Sequence, residues 1–263
     1  MTSLRREATA RQASDQLKRL LFLVAAVGAL GICDALAQGG PPMITDDPGT
    51  PGDGKFEINL AIAFEHRPGE TSFDAPGIDI NYGVGDRIQL TLQGGPVVLK
   101  RSDHGAIGGL GGTEAAVKWR FLDDERTGIT MSVFPRIIFN LSGSAARRGL
   151  ADDGTRFQIP LQFAKAFPKF DLDLEWGPLV STVGPAQWLY GIVVAVDASK
   201  TTALMAELHG TSRTNFRDDD LTFNLGIRQK INDHLNFLGS LGHELRSPEA
   251  RAWIGYAGLQ LLF

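Results

Sequence analysis

The segment KFDLDLEW, residues 169–176, alternates apolar and acidic side chains with a period of two. One face of an extended chain would carry its apolar residues, which are Phe170, Leu172, Leu174 and Trp176. The opposite face would carry Asp171, Asp173 and Glu175. Period two is the side-chain repeat of a β-strand that has one apolar face. The segment therefore predicts a strand that lies between an apolar environment and a polar one.

The same alternation recurs along the chain from Phe56 to its last residue. With KFDLDLEW it makes twelve segments, and the other eleven are FEINLAIAFEH, GIDINYGV, DRIQLTLQ, AAVKWRF, GITMSVFPRIIFN, TRFQIPLQF, QWLYGIVVAV, TTALMAELH, DLTFNLGI, HLNFLGSL and AWIGYAGLQLLF. Long polar connections such as SGSAARRGLADDG follow the odd-numbered segments, and tight links such as GVGD and DASK follow the even-numbered ones. Long loops on one rim and short turns on the other are typical of membrane barrels. The pattern predicts an all-β fold, an antiparallel transmembrane β-barrel of about 12 strands with short periplasmic turns and long external loops.

Alternation alone also fits a soluble barrel or sandwich, in which the apolar faces point inward. Two features favour the membrane barrel: aromatic residues such as Trp119, Trp188 and Trp253 lie near strand ends, and the opposite faces carry many charges. A basic side chain on the lipid face at mid-membrane costs about 2–4 kcal/mol, whereas a wet lumen costs it little. The polar faces are therefore expected to enclose a lumen. The candidate lumen residues are Lys118, Arg120, Arg136, Asp171, Asp173, Glu175, Glu207 and Arg228.

The first 37 residues predict a cleaved secretory signal peptide. Basic residues precede a 13-residue apolar run, Leu20 to Ile32, and Ala35 and Ala37 supply the small residues of a signal peptidase site. A membrane-spanning helix needs about 20 residues, so the run is too short for an anchor. The only cysteine, Cys33, lies in this region, so the exported protein has no thiol chemistry. The net charge of −4 does not indicate a nucleic-acid partner.

The last segment, AWIGYAGLQLLF, must pair with the first to close a barrel and remove its edges. It resembles the C-terminal signal of bacterial outer-membrane proteins, an alternating strand that ends in Phe. The resemblance implies that the barrel-assembly machinery recognises Phe263. The expected location is the outer membrane of a Gram-negative bacterium, with outer-membrane lipid as a second partner.

Between the signal peptide and the barrel (residues 56–263), residues 38–55 form a segment rich in Pro and Gly, and here a narrower resemblance begins. The motif TDDP at Thr45–Pro48 and the strand start KFEINL at Lys55–Leu60 resemble the opening of the MetA-pathway of phenol degradation family of outer-membrane proteins. That resemblance implies a transporter-like barrel for small solutes, often aromatic or hydrophobic compounds. It assigns no catalytic residue and no cofactor.

Three interpretations of residues 38–55 remain open from the sequence. The favoured one is a solvated lead-in whose aspartates, Asp46, Asp47 and Asp53, cap turns. The same carboxylates could bind a divalent cation, because oxygen ligands suit Ca²⁺. In the third interpretation, the segment folds into the lumen and obstructs it.

Three classes of function compete. A channel or capture site for small solutes fits the mixed-charge lumen, with Lys118, Arg120 and Arg136 as a basic patch opposite the acids of strand KFDLDLEW. An outer-membrane lipase would need a Ser and a His in contact, and His209 and Ser212 lie close in sequence, but no G-x-S-x-G motif is present. The third class is a structural or surface-interaction barrel with no open pore. We favour the channel and expect no enzymatic activity, no catalytic residue, no metal site and no cofactor.

Overall fold

The computed structural model describes residues 40–215 and 219–263, so the predicted signal peptide at residues 1–37 lies outside the described residues. Within the described ranges, no helix has the length and hydropathy to cross a membrane. The one short 3₁₀ helix assigned there is Ala146–Arg148. The strand segments are β1 (Phe56–Arg67), β2 (Glu70–Val84), β3 (Ile88–Gly94), β4 (Pro96–Arg101), β5 (Gly105–Leu110), β6 (Thr113–Asp124), β7 (Ile129–Val133), β8 (Arg136–Phe139), β9 (Arg156–Gln158), β10 (Leu161–Ala166), β11 (Asp171–Ser181), β12 (Gln187–Ser199), β13 (Thr202–Arg213), β14 (Asp220–Asn232), β15 (Leu235–Arg246) and β16 (Trp253–Leu262).

These segments form one closed antiparallel barrel of twelve strands, as the sequence predicts. Four of the strands are each broken in two, as β3 with β4, β5 with β6, β7 with β8, and β9 with β10. β3 and β4 are two parts of one strand, because both pair with β2: residues 78–84 of β2 pair with β3, and residues 70–74 pair with β4. The last strand, β16, pairs with β1 and closes the sheet. Two main-chain hydrogen bonds between Phe56 and Phe263, of 3.1 and 3.0 Å, complete the seam.

Two of the breaks lie at Pro residues, because proline has no N–H to donate to a neighbouring strand. Pro135 separates β7 from β8, and Pro160 separates β9 from β10. Single main-chain bonds bridge these points: Phe134 N–H donates to Pro160 O at 3.0 Å, and Ile159 N–H donates to Pro178 O at 3.1 Å. The wall therefore stays hydrogen-bonded through the breaks.

The short and long connections alternate between the two ends of the barrel. One end of the barrel, called here the turn end, carries short turns at residues 85–87, 125–128, 167–170, 200–201 and 233–234. The opposite end, called the loop end, carries residues 140–155, 182–186 and 247–252. The sequence pattern predicts long loops at RPGETSFDAPG (residues 67–77) and RSDHGAIGGLGG (residues 101–112), but both are mostly strand. Only residues 102–104 join β4 to β5. Only Pro68 and Gly69 join β1 to β2, and Gly69 has a φ of 87°, so this hairpin extends the wall at the loop end.

The burial pattern places the apolar faces outside and the polar faces inside. Outward residues of β1 and β3 such as Ile62 and Leu92 are more than half exposed, at 53% and 54%. Inward polar residues such as Asn59 and Gln162 are buried, at 1% and 0% exposure. A soluble protein buries its large apolar side chains, so this arrangement is the reverse of a soluble core. The prediction that the polar faces look inward is confirmed.

Aromatic side chains gather on the outer surface near both ends. Trp176 stacks on Trp188 at 4.5 Å on the side of the loop end, and Phe56 packs on Tyr82 at 4.7 Å at the turn end. Amphipathic rings favour the boundary between hydrocarbon and water. The outer surface is therefore an apolar band with aromatic margins, as in barrels that span a bilayer.

Candidate functional site

Residues 40–51, called here the N-terminal segment, lie inside the barrel. Thr45, Met43 and Asp47 are buried, at 0%, 5% and 8% exposure. The segment contacts β6, β11, β13 and β15, which lie on different sides of the wall. The interpretation of residues 38–55 as a solvated lead-in is wrong for the buried residues of this segment, because a polar lumen supplies partners that replace water, while its turn-capping part holds at Asp53. The lumen-obstructing interpretation describes what the structure shows.

Glycine makes room in the wall for the N-terminal segment. A Cβ at Gly191 of β12 would stand 2.0 Å from Thr45 Oγ1, and a Cβ at Gly226 of β14 would stand 2.1 Å from Met43 Cε. Both distances are far inside van der Waals contact. At Gly191 a larger residue would displace the segment or the wall, because Thr45 is short and β-branched, whereas at Gly226 the flexible end of Met43 could move aside.

Main-chain groups of the segment are held by side chains of the wall. Glu207 of β13 accepts hydrogen bonds from Ile44 N–H at 3.1 Å and from Thr45 N–H at 2.5 Å. Ser240 Oγ of β15 donates to Pro42 O at 2.9 Å. Because these bonds use the main chain, they fix the path of the segment whatever its side chains are.

A cluster of charges lies where Asp46 meets the wall. Lys118 Nζ of β6 lies 3.1 Å from Asp46 Oδ1 and donates to Asp47 O at 2.6 Å. Arg136 of β8 lies 4.0 Å from Asp46 Oδ2 and forms an ion pair with Glu175 of β11. The Lys118 side chain is 3% exposed and the Glu175 side chain 1% exposed, so the cluster is shielded from bulk water.

One aromatic ring lies under this cluster. Lys118 Nζ lies 4.7 Å from the centre of the Phe134 ring, and Arg136 Cζ lies 4.5 Å from it. Phe134 is 2% exposed. Cations at this distance from a ring face are attracted by its quadrupole. Phe134 thus holds both cations on one surface, which we call the cation platform (Lys118, Phe134 and Arg136).

The structure brings some of the sequence-predicted lumen residues together and keeps others apart. Lys118, Arg136 and Glu175 meet at Asp46, and Glu207 binds the neighbouring main chain. Asp171 and Asp173 lie buried nearer the turn end of β11, with Arg228 on β14 among the charged groups that act on Asp173. Arg120 lies apart from the cluster at the turn end, where it donates to Asp86 O and pairs with Asp123 at 3.2 Å.

The sequence predicts that Lys118, Arg120 and Arg136 form a basic patch that faces the acids of β11. This prediction is wrong, because Arg120 lies apart and Arg136 pairs directly with Glu175. Two residues of the cluster, Asp46 and Phe134, are absent from the sequence-derived set. Asp46 belongs to the TDDP motif, but the motif does not predict that Asp46 enters the lumen. Phe134 also has a signal, since an apolar residue before Pro135 interrupts the alternation of its strand.

Two cavities lie along the lumen, and the N-terminal segment lines the one at the turn end. One of about 690 Å³ opens toward the turn end and is lined by the cation platform, Asp46 and Phe263. A second, of about 570 Å³, lies at the loop end and is lined by Glu65, Asp74 and Asp152. Gln93 and Glu114 line both cavities, so the two cavities adjoin at these wall residues.

The connection between β8 and β9, residues 140–155, covers part of the loop end. Its Leu150 and Ala145 pack against Leu99 of β4 and form a small buried apolar cluster. Arg148 of the same connection donates to Gly108 O at 2.8 Å. The loop-end cavity is therefore roofed by a folded connection.

The other candidate chemistries find no support in the geometry. No group of three His, Cys, Asp or Glu side chains suited to a metal ion occurs within residues 40–215 and 219–263. Asp53 instead accepts a hydrogen bond from Gly85 N–H at 2.8 Å, which is a turn-capping role. His209 and Ser212 lie three residues apart on β13, so their side chains point to opposite faces of the wall and cannot form a dyad.

Comparison with known proteins shows similarity of fold only. No protein-family model and no curated protein matches the sequence. The COG4313 outer membrane channel from Pseudomonas putida F1 aligns with a TM-score of 0.67 at 11% identity, over 87% of this chain and 100% of that one. The NanC porin aligns with a TM-score of 0.58 at 7% identity, over 78% and 98%. The KdgM porin aligns with a TM-score of 0.55 at 12% identity, over 78% and 99%.

Proposed function

We propose that the chain is an outer-membrane channel for small solutes and that its own N-terminal segment closes the lumen at rest. The observation that carries the proposal is the N-terminal segment, which is buried inside the barrel and lines the turn-end cavity. The similar solved structures, which are named as channels and porins, support the same class of function.

The outer surface supports the membrane location. Its apolar band would be costly in water and favourable in lipid, while the buried charges of the inner face need a polar lumen. A Gram-negative outer membrane is the location of such barrels, and assembly there would use the terminal strand β16 and Phe263. Export by a signal peptide at residues 1–37 belongs to the same proposal.

The N-terminal segment is suited to be a movable part. It takes part in none of the strand pairings of the barrel, which begin at Phe56. Its docking rests on a few hydrogen bonds to Glu207, Ser240, Glu175 and Lys118. A hydrogen bond to a charged group contributes about 1.5–3 kcal/mol and a neutral one about 0.5–1.5 kcal/mol, and release of the segment breaks these bonds while the strand pairings of the wall stay in place. Movement of the segment would widen the turn-end cavity, which adjoins the loop-end cavity at Gln93 and Glu114.

Small aromatic or hydrophobic compounds are the solute class that we propose, in line with the family resemblance of the TDDP segment. The turn-end cavity supports this, because Phe134, Tyr256 and Met43 line it beside its polar groups. Its volume of about 690 Å³ lies in the range of small-molecule sites. Polar groups in such a lining would orient a ring that the apolar groups contact.

Single-channel recording in planar bilayers tests the proposal. The full-length barrel is expected to give small or rare conductance steps, and a variant that lacks residues 40–51 is expected to give larger and longer ones. Both proteins must first show the same heat-dependent mobility shift on gels, which reports a folded barrel. If neither protein gives steps above the lipid background, the chain is a structural or surface-interaction barrel and the channel proposal is wrong.

A further inference from the structure

The carboxylate of Asp46 is bound in the lumen as a ligand carboxylate would be. Its Oδ1 lies 3.1 Å from Lys118 Nζ, and its Oδ2 lies 4.0 Å from the guanidinium of Arg136. Both cations lie against the ring of Phe134, which fixes their separation and covers one side of the pair. Residue 46, by contrast, belongs to a segment outside the barrel sheet. The wall therefore holds a preformed site whose present occupant is part of the N-terminal segment.

Lys118 and Arg136 would keep different partners if the N-terminal segment left the lumen. Arg136 would keep its ion pair with Glu175, which is itself held by Gln162 Nε2 at 3.1 Å. Lys118 would lose both of its acceptors, because Asp46 Oδ1 and Asp47 O belong to the segment. Within residues 40–215 and 219–263, no other carboxylate lies within ion-pair distance of Lys118. A buried ammonium without an anionic partner is costly, so a new anion would be favoured there.

Arg136 has a further unused donor. Its Nε is buried and has no hydrogen-bond partner in the described part of the chain. A carboxylate has two oxygens, and hydrogen bonds between charged groups are about twice as strong as those between neutral ones. The cation platform can therefore supply one donor from Lys118 and another from Arg136 to a single carboxylate.

The space beside the platform fits an organic acid rather than a bare ion. Lys118, Phe134 and Arg136 line the turn-end cavity of about 690 Å³, together with Tyr256 of the wall. A bound acid could place its carboxylate on the two cations and its apolar body against these side chains.

We propose that Lys118 and Arg136 bind the carboxylate of a small organic acid, and that Asp46 occupies the same donors when the N-terminal segment is docked. The acid and the segment then compete for one site, so binding of the acid favours release of the segment. This inference rests on the proposed channel function and names the class of its solute. Lys118 is the residue on which it depends most, since Arg136 is already paired.

Titration calorimetry on the folded full-length protein in detergent tests the site, with benzoate as the probe and benzyl alcohol as its uncharged analogue. The wild type is expected to bind benzoate weakly, and Asp46→Asn is expected to bind it about tenfold more tightly because the competing charge is gone. Adding Lys118→Gln to Asp46→Asn should weaken benzoate binding at least tenfold. Adding Lys165→Gln instead is the matched control, because Lys165 bonds to Thr127 O outside the site and its loss should change nothing.

Two results would overturn the assignment. One is equal benzoate affinity for Asp46→Asn with and without Lys118→Gln. The other is equal binding of benzyl alcohol and benzoate to Asp46→Asn. Calorimetry needs no open pore, so its outcome is independent of the conductance recordings that test the channel itself. All the variants must first give the same gel-mobility shift as the wild type, which keeps misfolding from imitating a loss of binding.

Discussion

Thr45 of the N-terminal segment lies directly over Gly191 of β12, so closely that a Cβ at residue 191 would stand 2.0 Å from Thr45 Oγ1 and 2.8 Å from Thr45 Cγ2. Thr45 is fully buried, and its β-branched side chain has few rotamers to escape into. Glycine at residue 191 is therefore what allows the segment to dock at this level of the lumen.

Gly191→Ala is expected to displace the segment and to increase the fraction of time the channel conducts by tenfold or more. Gly191 is not among the glycines with a positive φ, so alanine can adopt its backbone conformation and the barrel should still fold. Gly226→Ala is the matched control, because its new Cβ meets the flexible end of Met43, which can move aside. Planar-bilayer recordings of both variants measure the effect. Equal behaviour of Gly191→Ala and the wild type would contradict the role given to this contact.

Glu207→Gln should loosen the same segment electrostatically. Glu207 accepts two main-chain N–H groups and a third bond from Asn224 Nδ2 at 3.1 Å. Glutamine keeps one acceptor oxygen and loses the charge, and hydrogen bonds to charged groups contribute about 1.5–3 kcal/mol. We expect protease cleavage within residues 40–51 to become about tenfold faster. Glu249→Gln at the loop end serves as the control, and an unchanged cleavage rate in Glu207→Gln would argue against the main-chain anchor.

Adjacent residues of β3 test the orientation of the wall. Leu92 points outward and is 54% exposed, whereas Gln93 points inward and lines both cavities. Leu92→Arg should lower the free energy of unfolding in phospholipid vesicles by about 2–4 kcal/mol, because it places a charge in hydrocarbon. Gln93→Arg should change it by less than about 1 kcal/mol, since its charge enters the lumen. Denaturant unfolding in vesicles gives both values, and the reverse order would mean that the faces are exchanged.

The sequence could predict the barrel because period-two alternation depends only on which face each residue takes. Asp171, Asp173 and Glu175 lie on one side of β11 for that reason, and the number of strands follows from the spacing of the turns. Membrane barrels are also regular enough that the connections reveal their topology. The split strands were harder to foresee, although Pro135 and Pro160 mark two of the breaks in the sequence.

The site could be predicted only in part, because it depends on contacts between distant parts of the chain. Lys118 and Arg136 were predictable as inward charges from their own strands. Their link to Asp46 was not, since it depends on residues 40–51 entering the lumen. A segment rich in Pro and Gly has no periodicity that would show where it docks. The TDDP motif therefore drew attention to Asp46, but it could not predict where Asp46 lies in the barrel.

Substitution of Phe263 separates assembly of the barrel from its stability. Phe263 is 65% exposed, and its main chain, rather than its ring, makes the two hydrogen bonds to Phe56 that end the seam. Phe263→Ala should therefore fold normally from urea into detergent micelles. If the barrel-assembly machinery reads the terminal ring, the same variant should accumulate in the outer membrane at a several-fold lower level. Leu261→Ala, which also removes an apolar side chain from the end of β16, is the control for general loss of surface. Gel-mobility shifts of membrane fractions and of refolded protein measure the two steps, and equal losses in both would show that the ring stabilises the barrel instead of signalling its assembly.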